Sequence, residues 1–168
     1  VFPRFRDRRA FLEVAGLGSA AVLVSAFGHG APVAGPGELH LALLSDTHVP
    51  ADRVNGHRGM SPWENLRVAA PQVAAARPAG VVICGDVARL EGRVEDYQEL
   101  KSLLAPVAAV SPVYVALGNH DDRASFRKVF ADTPGEHAPV DGRHVTVIEH
   151  EAVHAVALDT QLKDNKEA

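Results

Sequence analysis

A single cysteine in 168 residues excludes a disulfide framework and any CxxC zinc site. A net charge of -4 removes the global case for nucleic-acid binding. No apolar run reaches the roughly 20 residues of a comfortable membrane span. Residues 38–168 contain no repeat and no low-complexity tract. Phosphate-cradling glycine motifs are missing too: Gly85 and Gly118 belong to no GxGxxG, and neither has a P-loop lysine beside it. What is present, 46% apolar and 23% charged residues, suits one soluble globular domain with a real core. Nine histidines against one cysteine suit metal chemistry with nitrogen and oxygen ligands, provided their spacing supports it.

Residues 1–37 read as an address rather than part of the fold. Arg8-Arg9-Ala10-Phe11-Leu12 precedes the uncharged, small and apolar stretch from Val14 to Phe27. A basic start followed by a short apolar run is the layout of an export signal, and the paired arginines resemble the twin-arginine type. Residues 29–37, rich in Gly and Pro, form a linker. The expectation is an exported, periplasmic or cell-envelope protein that meets the membrane only through this signal.

From residue 38 onward, strand and helix alternate. Leu39 to Ser45 is a nearly continuous apolar run, the pattern of a strand buried on both faces. Ser61-Pro62-Trp63-Glu64 supplies a capping box with proline at the first helical position. Leu66, Ala69, Ala70, Val73 and Ala76 then recur at helical spacing until Pro78 and Gly80. Val81 to Cys84 predicts a second buried strand, residues 94–105 a second helix, and Pro112 to Leu117 a third strand. A short helix bearing Phe126 and Phe130 follows, then two strand-like runs, His144 to Ile148 and Ala152 to Leu158. The order βαβαβα plus a hairpin predicts an α/β sheet with helices on both faces.

Each of the first three predicted strands ends in metal-competent side chains: Asp46-Thr47-His48, then Gly85-Asp86, then Gly118-Asn119-His120-Asp121. Parallel neighbouring strands bring such ends to one rim, where open α/β sheets bind ligands. Carboxylate, imidazole and amide oxygen form a mixed set suited to Mn, Fe or Zn. Singly, each residue is as well explained as a turn former, a helix cap or a polar loop residue. At three successive strand ends, chance is a poor account.

These three blocks, in this order, resemble the calcineurin-like metallophosphoesterase superfamily from about Leu39 to Thr160. Within it, Leu44 to His48, Glu95-Asp96-Tyr97, and Gly118 to Arg123 followed by Phe126 look like the branch holding bacterial class III cyclic-nucleotide phosphodiesterases. The resemblance implies a sandwich of β-sheets flanked by helices and a centre of two divalent or trivalent ions, Fe, Mn or Zn. It implies that Asp46 and His48 bind the first ion, Asp86 bridges both and Asn119 binds the second. It implies that His120 faces the substrate as a catalytic residue and that Asp121 orients His120. The implied activity is in-line attack by activated water on a phosphomono- or phosphodiester. The partner is then a phosphate-ester small molecule, with no nucleic acid expected.

The family pattern also contains a further lone His and a Gly-His-x-His block, and neither occurs here. His137, His144, His150 and His154 qualify by residue type alone. Residues 38–168 are therefore read as the N-terminal half of a metallophosphoesterase domain. The competing readings are an inactive half-domain and a non-enzymatic α/β phosphate-binding module. The loop from Val49 to Met60, with Arg53, His57 and Arg58, lies where a phosphate contact is conceivable, though a solvated loop explains it equally well.

Overall fold

The computed structural model describes residues 39–56, 59–131, 134, 142–151 and 153–161. The export signal and linker read in residues 1–37, together with His57, Arg58 and His137, lie outside the described residues. Among those described, no helix is long and apolar enough to cross a membrane.

Strand β1 (Leu41–Leu44) leads through helix α1 (Pro62–Ala76) to β2 (Gly80–Cys84), then through α2 (Val94–Ala108) to β3 (Val113–Ala116). Helix α3 (Arg123–Val129) and an antiparallel hairpin of β4 (Thr146–His150) and β5 (Val153–Ala157) follow. The sheet is parallel in the order β1-β2-β3, with Leu43 beside Val82 and Val82 beside Tyr114. All three strands therefore end at the same edge, as the alternation predicted.

Local chemistry sets the helix limits. Ser61 Oγ accepts the Glu64 N–H at 3.2 Å and Pro62 occupies the first turn, where its missing donor costs nothing. Arg77 closes α1 in the left-handed region, φ 46°. In α2 the Asp96 carboxylate accepts the Arg93 N–H at 3.1 Å. That helix does not stop at residue 105 as predicted but runs through Pro106 to Ala108. A proline there removes one ladder bond, while the next residue, Val107, is fully buried and holds the last turn in place.

The prediction of helices on both faces is corrected. Two successive parallel crossovers run in one direction, and the right-handed rule for such units puts α1 and α2 on the same face. Leu66 and Ala70 of α1, Leu100 and Leu104 of α2, and Phe126 of α3 share one core with Val81, Ile83 and Val115. On β1 the consequence is visible: Ala42 and Leu44 pack against that core, whereas Leu43 is 56% exposed. The strand read as buried on both faces is covered on one.

The hairpin lies against β3 through side chains rather than a ladder. Thr146 Oγ1 donates to the Val115 carbonyl at 3.2 Å, and the His144 ring nitrogen Nε2 lies 2.7 Å from the same oxygen. Below it, the Asp159 carboxylate receives Arg123 Nε and Nη2 at 2.5 and 2.7 Å and the N–H of His144 at 3.0 Å.

Candidate metal centre

Past the ends of β1 and β2 the two chains continue side by side. The Asp46 N–H donates to the Gly85 carbonyl at 3.2 Å, His48 N–H to Asp86 O at 2.9 Å and Val49 N–H to Val87 O at 3.0 Å. This run carries strained backbone. Among the described residues, Asp46, His48, Asp86 and Leu90 are non-glycine residues at φ of 52°, 42°, 48° and 53°. Such values are uncommon for residues with a Cβ and persist only where the surroundings enforce them, often at functional sites. The fifth, Arg77, is an ordinary helix cap.

Two glycines make the close approach possible. Gly85 sits at φ 86°. A Cβ on Gly118 would lie 2.1 Å from Asp86 Oδ1 and 2.5 Å from Asp86 N, so only glycine lets the third strand end reach the second. The Asp86 Oδ1 atom then accepts the His120 N–H at 3.0 Å.

The strand ends bring Asp46, His48 and Asp86 together, with one donor atom of each within 4.8 Å of the others. His48 Nε2 is 4.0 Å from Asp46 Oδ1 and 4.0 Å from Asp86 Oδ2. Ligands sit about 2 Å from a first-row divalent ion and about 3 Å from one another, so these donors would have to close by about 1 Å, through side-chain rotation, to share one. The two-carboxylate, one-imidazole set is of the right chemical kind. Asp46 is 63% exposed at the side chain and Asp86 15%, so the group opens to solvent on one side.

Asn119 lies at the same rim, its backbone carbonyl receiving Gln161 Nε2 at 3.2 Å. The His120 ring stands edge-on to His48 with centroids 5.2 Å apart. Its Nδ1 lies 3.0 Å from the Leu90 carbonyl. A carbonyl only accepts, so Nδ1 carries a proton, and in the neutral ring Nε2 is the acceptor.

Asp121 is bonded to the loops around it. The carboxylate is buried and accepts the N–H groups of Gly118 (2.8 Å), Ala88 (3.0 Å) and Val87 (3.2 Å) and the Tyr97 hydroxyl (3.1 Å). It ties the loops after β2 and β3 together, while the His120 ring nitrogen Nδ1 lies against the Leu90 carbonyl. Burial raises the Asp121 pKa above its usual range, and the three amides and the phenol offset part of that rise. Burial also raises the Tyr97 pKa, so its hydroxyl stays protonated and donates.

Helix α2 contributes two anchors. Asp96 accepts the Ala51 N–H at 2.6 Å, fixing the loop after β1, while Tyr97 holds Asp121 and accepts the Asp122 N–H at 2.8 Å. The other described basic and histidine candidates are not part of this group. Arg53 pairs with Glu99 at 3.1 Å and lies over Trp63. His144 is buried edge-on to Phe126, and His150 and His154 sit on the exposed hairpin.

A cavity of about 590 Å³ opens beside the carboxylates, with Leu44, Met60, Leu66 and Ala69 on its walls and Asn65, Arg89 and His120 among its polar groups. Arg89 was not singled out as a site residue from the sequence. Its only signal there is a basic residue three positions after a strand-end aspartate.

A parallel sheet whose strand ends deliver two carboxylates and an imidazole to a single rim defines an α/β protein with a group that could hold a metal ion. The chain belongs to the calcineurin-like phosphoesterase family, whose model matches residues 39–154. It is 36% identical over 126 residues to a "probable cyclic nucleotide phosphodiesterase" of Rhodopseudomonas palustris, covering 73% of this chain and 43% of the relative. It is 32% identical to a similarly named protein of Rhodococcus erythropolis, over 73% of this chain and 40% of that one. It is 30% identical to a cAMP/cGMP dual specificity phosphodiesterase of Mycobacterium tuberculosis, over 71% and 37%. The chain thus spans about two fifths of the length of these curated relatives.

Proposed function

We propose that this chain carries the metal-binding rim of a metal-dependent phosphodiesterase acting on small anionic diesters, cyclic nucleotides among them. The convergence of donor atoms of Asp46, His48 and Asp86 within 4.8 Å of one another carries the reading. Family membership and the names of the relatives support it. Asp46 and His48 would hold one ion, Asp86 would share it with a second, and Asn119 would serve the second. The ions would be Mn, Fe or Zn, and when bound they would offset phosphate charge and make water nucleophilic near neutral pH. Asp86 has one oxygen facing His48 and the other receiving the His120 amide, which fixes its orientation. The Leu90 carbonyl holds the His120 proton on Nδ1. Nε2 is then the ring atom free to exchange a proton with a bound substrate.

The test is calorimetric titration of the wild type and Asp86→Ala with Mn²⁺ and Zn²⁺, with hydrolysis of bis(p-nitrophenyl) phosphate assayed alongside. Metal affinity should fall by at least about 100-fold in the variant, since even indirect supports of metal ligands are worth about 10–100-fold. A folded Asp86→Ala protein that binds metal as the wild type does would refute the centre. Metal binding without any hydrolysis would refute the enzyme.

A further inference from the structure

We infer that Arg89 is the phosphate-holding cation of this site, and that the apolar cavity beside it receives the organic group of a phosphodiester. The inference rests on the proposed function and adds the residue and the subsite to it. Arg53, Arg67, Arg93 and Arg123 each face a carboxylate at 2.5–3.1 Å. Arg89 faces none within 4 Å among the described residues. Among the described residues its side chain makes one hydrogen bond, a 3.3 Å contact from Nη2 to the Gly56 carbonyl, and its Nε is shut off from solvent with no acceptor. The Nε of this guanidinium has given up water without recovering a bond, while its outer nitrogens stay open to an anion entering the cavity.

Its position is fixed from the backbone. The Arg89 N–H donates to the Val49 carbonyl at 3.2 Å. Asp121 holds the amides of the two preceding residues. The following residue, Leu90, is bonded through its carbonyl to His120. A residue locked on both sides, lining the same cavity as Asp46, His48 and His120, can face the phosphate those groups would act on.

The chemistry of the walls selects the rest of the ligand. Leu44, Met60, Leu66, Ala69 and Leu90 present hydrocarbon, and Asn65 offers one amide. A volume of about 590 Å³ falls in the range of small-molecule sites. One planar fork matches two non-bridging oxygens sharing a single negative charge, which is the diester monoanion. The flat, largely apolar substituent of that diester fills the cavity, and the Asn65 amide takes one polar edge.

The experiment is titration of Zn²⁺-loaded wild type, Arg89→Ala and Arg89→Gln with bis(p-nitrophenyl) phosphate, followed by methyl NMR of Leu44, Leu66 and Met60. Saturable shifts at these methyls are expected in the wild type, with affinity at least about 10-fold weaker in both variants. Zn²⁺ affinity should be unchanged, and neutral p-nitroanisole should bind all three alike. In turnover, KM should rise more than kcat falls. Equal affinity for the diester in the wild type and in Arg89→Gln, which keeps an amide in place should Arg89→Ala misfold, would overturn the inference. So would wild type that fails to bind the diester. Binding without hydrolysis would strike the proposed enzyme alone; hydrolysis with indifferent Arg89 variants would strike this inference alone.

Discussion

Asp121 has the most heavily bonded side chain in the Gly118–Asp121 block. Four donors converge on its two oxygens, three of them backbone amides from two separate loops. Asparagine at this position retains a single acceptor oxygen and turns an NH₂ towards those amides. Each buried donor left unsatisfied costs about 1–3 kcal/mol, so Asp121→Asn should lose about 2–4 kcal/mol of stability in urea denaturation. Loss below about 0.5 kcal/mol would mean that the carboxylate is not the tie between the loops. Proximity of Asp121 to the metal-binding blocks was legible in the sequence because the block Gly118–Asp121 is contiguous. Its partners were not, since Val87, Ala88 and Tyr97 lie 24–34 positions away. The same holds for the Leu90 carbonyl: a backbone acceptor has no side-chain signature, and its strained φ is invisible until the loop is folded.

Among the elements, the hairpin depends most on one ionised group. Burial acts to raise the Asp159 pKa. The Arg123 guanidinium and the amides of His144 and Gln161 outweigh burial, and the net shift is downward. A carboxylate depressed in the folded state contributes stability that is present above its unfolded value, near 4, and lost as pH falls through the folded value. Hydrogen exchange should therefore show the amides of Thr146–His150 losing protection selectively below about pH 4, ahead of those of Val81–Ile83. Asp159→Ala should abolish that pH dependence and cost about 3 kcal/mol, as removal of one partner from a buried ion pair does. Simultaneous loss of protection in β2 and β4 would mean the hairpin is not a separate unit. Strands, helices and hairpin were all readable from periodicity and caps, because β2 and α2 are strongly patterned. Which face of the sheet the helices cover was not, since that follows from strand order, and no local run of residues encodes it. The exposed Leu43 is the visible price of that misreading.

For the molecule as a whole, the three strand ends behave as one unit linked through Asp86, whose oxygens face His48 on one side and the His120 amide on the other. Two carboxylates, Asp46 and Asp86, lie within reach of the same His48 nitrogen. Without a cation they repel each other, and the strained residues that carry them are held only by the surrounding hydrogen bonds. A metal that binds the folded rim and not the unfolded chain must then stabilise the entire fold by mass action, about 2.7 kcal/mol at 100 times its Kd. For a chain of this size a kilocalorie moves the melting point by about 2–4 °C. Scanning calorimetry in saturating Mn²⁺ against EDTA should therefore raise Tm by about 5–10 °C in the wild type and leave Asp86→Ala unmoved. Because the rim spans all three loops, Mn²⁺ should slow amide exchange at Val49, Val87 and His120 together. Protection gained at only one of these loops, or a Tm insensitive to Mn²⁺, would mean the strand ends do not close on a common ion.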